Sequence, residues 1–258
     1  MTNEEYRKHP GISRSELFKL NQTPMHFRYY MDNPQEETAA MKFGTAVHTR
    51  ILEPAEFKLR YMIYPKFDRR TKEGRELFAR YDREAQLADK ILLTEEDMNT
   101  IEEMAAVIND DPLAKQLLTG LTERSYFWTD PDTGIQCKCR PDCVTTYNGK
   151  FYITDYKTTD SCEDGHFERS CRKYGYKLQA GMYCEGLLQA NLMEFSFAFV
   201  AQEKKPPYAV RCYFCTPEFV AQGYDEFRTL LGLYKYCCEQ NNWPGYNKTD
   251  LCGEEERE

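Results

Sequence analysis

Three side chains that flank an Asn-Gly pair could together hold a metal ion: Asp142, Asp155 and Lys157. The pair, at 148–149, separates two β-rich runs, and Asn-Gly in that setting is the strongest short-range signal for a hairpin with a type I′ turn. If these two residues form the turn, Asp142 lies directly opposite Asp155. Residues two apart share a strand face, so Lys157 points the same way. The spacing therefore predicts two carboxylates and an ammonium on one face of a hairpin.

The chemistry of this face follows from its charge. Two carboxylates with Cβ atoms about 5 Å apart destabilise a sheet unless a cation lies between them, and a hard divalent cation with oxygen ligands suits that position. The ammonium of Lys157 could hold an anion or a water nucleophile. The alternative is a solvated hairpin with scattered charges, which is disfavoured because Phe151 and Ile153 lie in line with the charged residues.

Pro141 complicates this simple register. Proline cannot donate to a strand ladder, so we expect a bulge or an unpaired edge at this position. Such a feature would shift the register by one residue at most.

The length of 258 residues allows one sizeable core, and we expect a single domain over 1–258. Its predicted parts are a helical region at 1–120, a sheet core with a C-terminal helix at 121–250 and an acidic tail at 253–258. The chain contains no run of eighteen apolar residues, and its first residues lack the apolar region of a secretion signal. We therefore expect a cytoplasmic protein without a membrane partner.

Eleven cysteines would suggest disulfides in a secreted chain, but a reducing cytoplasm leaves them as thiols. Cys212-x-x-Cys215 with the pair at 237–238 is similar to a fragment of a zinc ribbon. The pattern at 211–215 predicts a strand, however, which would direct Cys212 and Cys215 to opposite faces. Buried free thiols are therefore the favoured interpretation, with a metal–sulfur module as the alternative.

The net charge of −8 weakly disfavours nucleic-acid binding, although part of the excess acid lies in the last five residues. Two basic clusters remain, and either could be an ordinary solvated face. The second follows the acid pair closely, which makes it the better candidate for a phosphate path. The clusters are Lys66, Arg69, Arg70, Lys72 and Arg75, and then Arg169, Arg172, Lys173 and Lys177.

The first half of the chain has the periodicity and the capping residues of helices. Ser13 with Glu16 has the pattern of a capping box, and Thr94 with Asp97 has the same pattern. A charged stretch at 58–76 predicts a loop or lid. Helices are predicted from Ser13, from Thr23-Pro24, and over 39–52, 74–90 and 94–118.

The pattern then changes to an alternation with a period of two residues, which predicts strands. Together the elements predict an α/β fold with a central mixed sheet, built on an antiparallel meander, flanked by helices and extended by N-terminal helices. The meander is predicted at 125–129, 135–146 and 151–158, a second hairpin at 195–202 and 209–215, and helices at 176–191 and 217–240.

Four separated segments resemble, in the same order, the RecE and RecB branch of the PD-(D/E)XK nucleases, in particular the RecE-type exonucleases of phages and prophages. Each segment alone is a weak signal, whereas four in order between residues 11 and 183 are a specific one. The resemblance implies a restriction-endonuclease-like core. The segments are Gly11-Ile-Ser-Arg-Ser-Glu-Leu-Phe with Pro24-Met-His-Phe, Phe43-Gly-Thr-Ala-Val-His48, Arg140-Pro-Asp142 with Asp155-Tyr-Lys157, and Gln179-Ala-Gly-Met-Tyr183.

The resemblance also implies roles for individual residues. Asp142 and Asp155, with the main-chain carbonyl of Tyr156 and the side chain of His48, would ligate Mg²⁺ or Mn²⁺. Lys157 would orient the attacking water and help to deprotonate it.

Three further residues have less specific roles. Gln179 and Tyr183, one helical turn apart, would hold substrate or support Lys157, with core packing as a comparable alternative for Tyr183. Glu123 could be a second-sphere or second-metal carboxylate, although glutamates at helix ends are common.

The activity that the resemblance implies is metal-dependent hydrolysis of linear duplex DNA from its ends, in the 5′→3′ direction, which leaves 3′ single strands for recombination. It also implies a ring-shaped homo-oligomer and a single-strand annealing protein as a partner. Iron–sulfur relatives carry a cysteine before the proline of the N-terminal helix pair, where this chain has Thr23-Pro24, and its first cysteine is Cys137. We therefore expect no iron–sulfur cluster. The alternatives are a structure-specific endonuclease and a non-catalytic module that binds DNA ends.

Overall fold

Helices and strands alternate along the chain in the structure, a computed structural model that describes residues 1, 3–33, 37–191 and 193–246. The predicted acidic tail lies outside the described residues. Within those residues, no helix has both the length and the apolar composition needed to span a membrane. The helices are α1 (Asn3–Lys8), α2 (Arg14–Lys19), α3 (Pro24–Asp32), α4 (Ala39–Leu52), α5 (Pro54–Arg60), α6 (Lys72–Leu87), α7 (Glu95–Asp110), α8 (Pro112–Leu117), α9 (Asp164–Tyr174), α10 (Tyr176–Asn191) and α11 (Pro217–Gln240).

The strands form sheets of five, three and two strands. They are β1 (Ile12–Ser13), β2 (Tyr61–Tyr64), β3 (Ile91–Thr94), β4 (Leu121–Thr122), β5 (Tyr126–Thr129), β6 (Gln136–Cys139), β7 (Cys143–Tyr147), β8 (Lys150–Thr159), β9 (Ser196–Glu203) and β10 (Val210–Phe214).

The five-stranded sheet, in the order β10-β9-β8-β7-β4, is the centre of the fold. β8 pairs antiparallel with β7 and parallel with β9, so this sheet is mixed. The second sheet has the order β1-β6-β5, and β2 pairs with β3 in a two-stranded parallel sheet. The prediction of an α/β fold with a central mixed sheet flanked by helices is confirmed.

Both faces of the central sheet are buried. Phe197, Phe199 and Ala201 of β9 belong to one apolar cluster, whereas Ala198 and Val200 belong to the other. This division follows from the alternation of side chains along a strand. α10 and α11 contribute to the first cluster, and α4, α7 and α8 contribute to the second. The central strands are therefore held between two helical layers.

Helix bounds that depend on caps and prolines agree well with prediction. α4, α10 and α11 occupy the predicted ranges, and both predicted capping boxes are formed, at α2 and α7. The helix predicted at 94–118 divides at Pro112, because a proline cannot continue the hydrogen-bond ladder of α7 and instead begins α8. Local signals thus predicted most of the helical layer.

Two predictions about the elements were wrong. The stretch at 58–76 is not a loop or lid, because it includes the end of α5, all of β2 and the start of α6, with Tyr61 and Tyr64 in the core. The run at 135–146 is not one strand but two, β6 and β7, which belong to different sheets. α9 was not predicted. The meander is therefore shared between two sheets.

The cysteines of the described residues are free thiols. Cys212 packs against one apolar cluster and Cys215 against the other, so the predicted divergence of these two thiols is confirmed. Opposite faces of a sheet cannot supply neighbouring ligands to one zinc ion. The prediction of burial was wrong for these two, which are half-buried, and for Cys238, which is exposed.

Candidate active site

The hairpin predicted at the Asn-Gly pair is present in the predicted register. Tyr147 faces Lys150 at the turn, and the pairing continues to Cys143 opposite Thr154. The two turn residues have φ of 48° and 75°, the left-handed backbone that a type I′ turn requires at both positions. The turn therefore determines where Asp155 and Lys157 of β8 lie relative to β7.

Asp142 lies one residue outside this ladder, because the chain leaves the central sheet at the unpaired Pro141. β6 ends at Cys139 and pairs with β5 in the other sheet. Instead of occupying a ladder position opposite Asp155, Asp142 accepts the N–H of Tyr156 on its carboxylate at 2.7 Å. The prediction that Asp142 lies directly opposite Asp155 in the ladder was therefore wrong. The prediction that Pro141 is unpaired is confirmed.

The side chain of Arg140 points to Glu123. Its Nε donates to Glu123 Oε2 at 2.7 Å, and its Nη1 donates to the Ser125 hydroxyl at 2.7 Å. Glu123 has φ of 52°, and its N–H donates to the Asp142 carbonyl at 3.1 Å. The break between β6 and β7 thus brings Glu123 beside Asp142.

His48, Glu123 and Asp142 form a compact cluster, here called the metal group. His48 Nε2 lies 2.7 Å from Asp142 Oδ2, and His48 Nδ1 lies 3.4 Å from Glu123 Oε1. One potential ligand atom from each residue lies within 4.8 Å of the others. The three come from α4, from the segment after β4 and from the break before β7, so distant parts of the chain converge here.

Asp155 and Lys157 lie beside the metal group on β8. Asp155 is 1% exposed, and its Oδ2 forms an ion pair with Lys157 Nζ at 2.5 Å, without the direction of a hydrogen bond. The side-chain amide of Gln179, on α10, donates to Asp155 Oδ1. The amide oxygen of Gln179 is buried and has no hydrogen-bond partner among the described residues. Buried polar atoms of this kind leave capacity for a further ligand.

The donor set of this cleft fits a divalent cation. Carboxylate oxygens suit Mg²⁺, and carboxylates with an imidazole also suit Mn²⁺. The metal group could hold the ion directly, with Asp155 adjacent. Asp155 does not belong to the close ligand set, because Lys157 engages one of its oxygens and Gln179 the other. Tyr156 presents its N–H to Asp142, while its phenol donates to buried Gln202 at 2.6 Å.

The pKa values of these groups are shifted by their proximity. Burial acts to lower the pKa of His48, but the carboxylates of Asp142 and Glu123 outweigh it and raise that pKa to about 9. Burial, and then the charge of Asp142, raise the pKa of both Asp155 and Glu123. Burial also acts to raise the pKa of Asp142, but the charges of His48 and Lys157 lower it overall. The site therefore favours added positive charge.

The metal group opens into a cleft of about 910 Å³. Tyr183 lines this cleft and also packs against the apolar core, so both predicted interpretations of this residue remain compatible with its position. Cationic side chains outside the two predicted basic clusters also line the cleft, namely Arg7, Arg14, Lys19 and Lys138.

The sequence signal for two of these cations was available. Arg14 lies within the capping box of α2, inside a segment that carries the family resemblance, and Lys19 follows that segment directly. Of the second basic cluster, Arg172 and Lys177 line a neighbouring cavity of about 420 Å³ rather than the cleft itself. The first basic cluster begins before α6 and continues into it, away from the lining of either cavity.

Comparisons with known proteins concern the fold and the family. No curated protein sequence matches the chain. A solved structure from Eubacterium rectale, named "Putative exonuclease", is 16% identical and has a TM-score of 0.63, with 98% of this chain and 96% of that chain covered. This likeness shows a shared fold. A structure named SSO0001 is 14% identical over 89% of this chain and 81% of that chain, at a TM-score of 0.39, too low to establish a shared fold.

A family described as a PDDEXK-like domain of unknown function (DUF3799) matches residues 13–255. The match includes the metal group, the acidic end of β8 and α10. The fold is accordingly a mixed α/β fold of the restriction-endonuclease-like type. The chain belongs to this family of PDDEXK-like domains.

Proposed function

We propose that the protein is a metal-dependent deoxyribonuclease that removes nucleotides from the ends of linear duplex DNA. The observation that carries the proposal is the convergence of Asp142 and Lys157 with His48 and Glu123 at one cleft, with Asp155 buried beside Lys157. Membership of a PDDEXK-like family supports a nuclease, because the acid pair and lysine are the residues that define this motif.

Each part of the site has a separate role in the proposed hydrolysis. A divalent cation held by the metal group would supply Lewis acidity for the charge that develops on the phosphate. Lys157 orients the attacking water, since its ammonium lines the cleft and is anchored to Asp155 at 2.5 Å. Gln179 keeps Asp155 in place through the N–H that it donates to Oδ1. Tyr183 lines the cleft, where it would contact substrate.

The charge of the cleft supports a nucleic-acid substrate despite the net charge of −8. Arg14 and Lys19 line the same cleft as Lys157, so cationic groups lie in the cleft that contains the metal group. Cationic side chains are the groups that bind phosphates. The acidic excess of the whole chain is thus no obstacle to binding DNA at this surface.

The direction of digestion and the partners are finer parts of the proposal. The resemblance to RecE-type exonucleases supports 5′→3′ digestion, a ring-shaped homo-oligomer and cooperation with a single-strand annealing protein. The name of the E. rectale protein also favours an exonuclease. Asp155 and the main-chain carbonyl of Tyr156 are proposed as additional metal ligands beside the metal group.

Digestion of a linear duplex labelled separately at each 5′ and 3′ end tests this function. We expect loss of 5′ label as short products with Mg²⁺ or Mn²⁺, no digestion with EDTA, and no digestion of covalently closed circular duplex. Equal digestion of closed and linear DNA would exclude an exonuclease and favour the endonuclease alternative. A panel of nicked and flapped duplexes would then identify the preferred structure.

Asp155→Asn separates catalysis from binding. We expect it to abolish cleavage while DNA binding in EDTA persists, because the cationic side chains of the cleft are unchanged. Asp160→Asn is the matched control, since Asp160 follows β8 and its side chain is 75% exposed in a pair with Lys204. Normal digestion by Asp155→Asn would disprove the site assignment, and binding without cleavage by the unaltered protein would favour a non-catalytic module.

A further inference from the structure

The short helix α1 contributes no buried residue to either apolar cluster. Side chains of Asn3, Tyr6 and Arg7 nevertheless line the cleft that contains the metal group. Core packing therefore does not account for the position of α1. Polar and aromatic contacts with two different walls of the cleft account for it instead.

One set of contacts ties α1 to the wall formed by β5 and β6. Lys138 Nζ donates to the carbonyls of Arg7 at 3.2 Å and His9 at 2.7 Å. Lys138 is 3% exposed, and a buried ammonium is costly unless it has such acceptors. The His9 ring also lies 3.9 Å from the Phe127 ring, measured between centroids. The end of α1 thus contacts the sheet whose strand β6 ends just before Arg140.

An ion pair of α1 reaches the opposite wall of the cleft. Arg7 Nη2 lies 3.4 Å from Glu37 Oε1, just before α4, the helix that carries His48. α1 therefore connects the two walls whose side chains meet at the floor of the cleft, where His48 lies beside Glu123. A strap between both walls obstructs passage across that side of the cleft.

The strap lies on the metal-group side of the cleft. Arg140 donates to Glu123 at 2.7 Å through Nε and to the Met1 carbonyl at 3.2 Å through Nη1, so one guanidinium spans from the metal group to the start of α1. Two further cations of the cleft, Arg14 and Lys19, belong to α2. Side chains of α1 and α2 thus line the same cleft as the metal group.

We propose that α1 blocks the cleft beyond the metal group, so that a strand terminus reaches Lys157 but a continuous strand cannot pass through. This inference rests on the proposed nuclease function and identifies the element that makes it depend on DNA ends. Without the strap, the same cations and metal group would accept an internal stretch of single strand.

Covalently closed single-stranded circles, compared with the linear strand of the same sequence, provide the test. The measured quantity is the ratio of the two initial rates with Mg²⁺ or Mn²⁺. A variant of the full protein that lacks residues 1–8 should degrade circles at a rate comparable with linear strands, while the unaltered protein leaves circles intact. Its melting temperature shows whether the variant folds, since the deletion removes the Arg7 carbonyl that accepts from Lys138 and the Tyr6 ring that lies beside Phe127.

A charge exchange tests the same contact without deletion. Arg7→Glu replaces an exposed ion pair with two like charges across the cleft and should give measurable degradation of circles, where the unaltered protein gives none. Arg7→Glu combined with Glu37→Arg should restore the original ratio. Lys8→Glu is the matched control, because Lys8 pairs with Glu4 within α1 at 2.6 Å and should leave the ratio unchanged.

The outcomes separate this inference from the proposed function. Absence of metal-dependent cleavage of linear duplex DNA would contradict the proposed exonuclease, whereas cleavage of single-stranded circles by the unaltered protein would overturn the role of α1. Normal cleavage of linear DNA with intact circles in a folded deletion variant would overturn the role of α1. If the deletion variant does not fold, an unchanged ratio in Arg7→Glu would overturn it equally.

Discussion

The His48–Asp142 pair should make the stability of the metal-free protein fall as the pH rises. His48 Nε2 lies 2.7 Å from Asp142, and His48 Nδ1 lies 3.4 Å from Glu123. Burial alone would lower the pKa of this imidazole, but the two carboxylates raise it to about 9. The folded protein thus retains a proton on His48 at pH values where the unfolded chain has lost it.

The size of the effect follows from the two pKa values. An unfolded histidine titrates near about 6.5, so the difference of about 2.5 corresponds to ~3 kcal/mol of unfolding free energy. Because the folded pKa is the higher one, this contribution is fully present below about pH 6.5 and is lost as the pH rises through about 9. The side chain is 26% exposed, so ~3 kcal/mol is an upper value.

Urea unfolding with EDTA, from about pH 6 to about pH 9.5, measures this contribution. The free energy of unfolding of the unaltered protein should fall by up to ~3 kcal/mol more than that of His48→Gln, which has no group that titrates at this position. His26→Gln is the control, since His26 hydrogen-bonds the Thr23 hydroxyl at α3. This control measures the effect of a His→Gln change outside the metal group. Parallel curves for the unaltered protein and His48→Gln would refute the reasoning.

Metal binding should have the opposite pH dependence. A histidine ligand must be neutral, so a cation that binds the metal group displaces the proton of His48. We expect about one proton released per cation near pH 7.5, because His48 is almost fully protonated there. Calorimetry in buffers with different ionisation enthalpies measures this number. Proton release that is unchanged in His48→Gln would show that His48 is not the source.

Further predictions concern the lysine and the helix packing. Lys157→Met should lower the cleavage rate by on the order of 10²–10⁴-fold, with a much smaller loss of DNA affinity in EDTA, and an equal loss in both would contradict a role in orienting the water. Gly181→Ala should lower the melting temperature, because its Cβ would lie 2.1 Å from the backbone nitrogen of Tyr224, at a cost of about 1–3 kcal/mol or more. Gly232→Ala, which has no heavy atom within 4 Å of the added Cβ, should be neutral or stabilising, as thermal melts will show.

The parts of the fold that the sequence predicts well depend on local chemistry. Pro217 begins α11, and the Asn-Gly pair at 148–149 sets the register of β7 with β8 through a backbone that few other residue types adopt. Such signals act over a few residues and do not need the rest of the chain. The helix ends and the hairpin could therefore be predicted from the sequence.

The sheet that a strand joins is harder to predict from the sequence, because it depends on strands that are distant along the chain. Nothing within the run at 135–146 indicates that its first half pairs with β5 and with β1, while its second half pairs with β8 and β4. Pro141 predicted an interruption but not a change of sheet. The same limit applies to β2, whose partner β3 lies beyond α6.

The site shows the same division between local and distant information. The positions of Asp155 and Lys157 on one strand face follow from their spacing, and the structure places the two side chains 2.5 Å apart. The place of Glu123 could not be derived in this way. It depends on a left-handed backbone at φ 52° and on Arg140, which lies seventeen residues along the chain.

The chain leaves the central sheet between β6 and β7, and this explains why Asp142 and Asp155 are not directly opposite each other in the β7–β8 ladder. A regular pair at this point would place the carboxylates of Asp142 and Asp155 side by side with no other group between them. Because the chain breaks at Pro141, Asp142 turns to the N–H of Tyr156 and to His48, while Asp155 is held by Lys157 and α10. The break thus gives each carboxylate its own cationic partner. It also directs Arg140 toward Glu123, which adds a third carboxylate where an ordinary hairpin would have two.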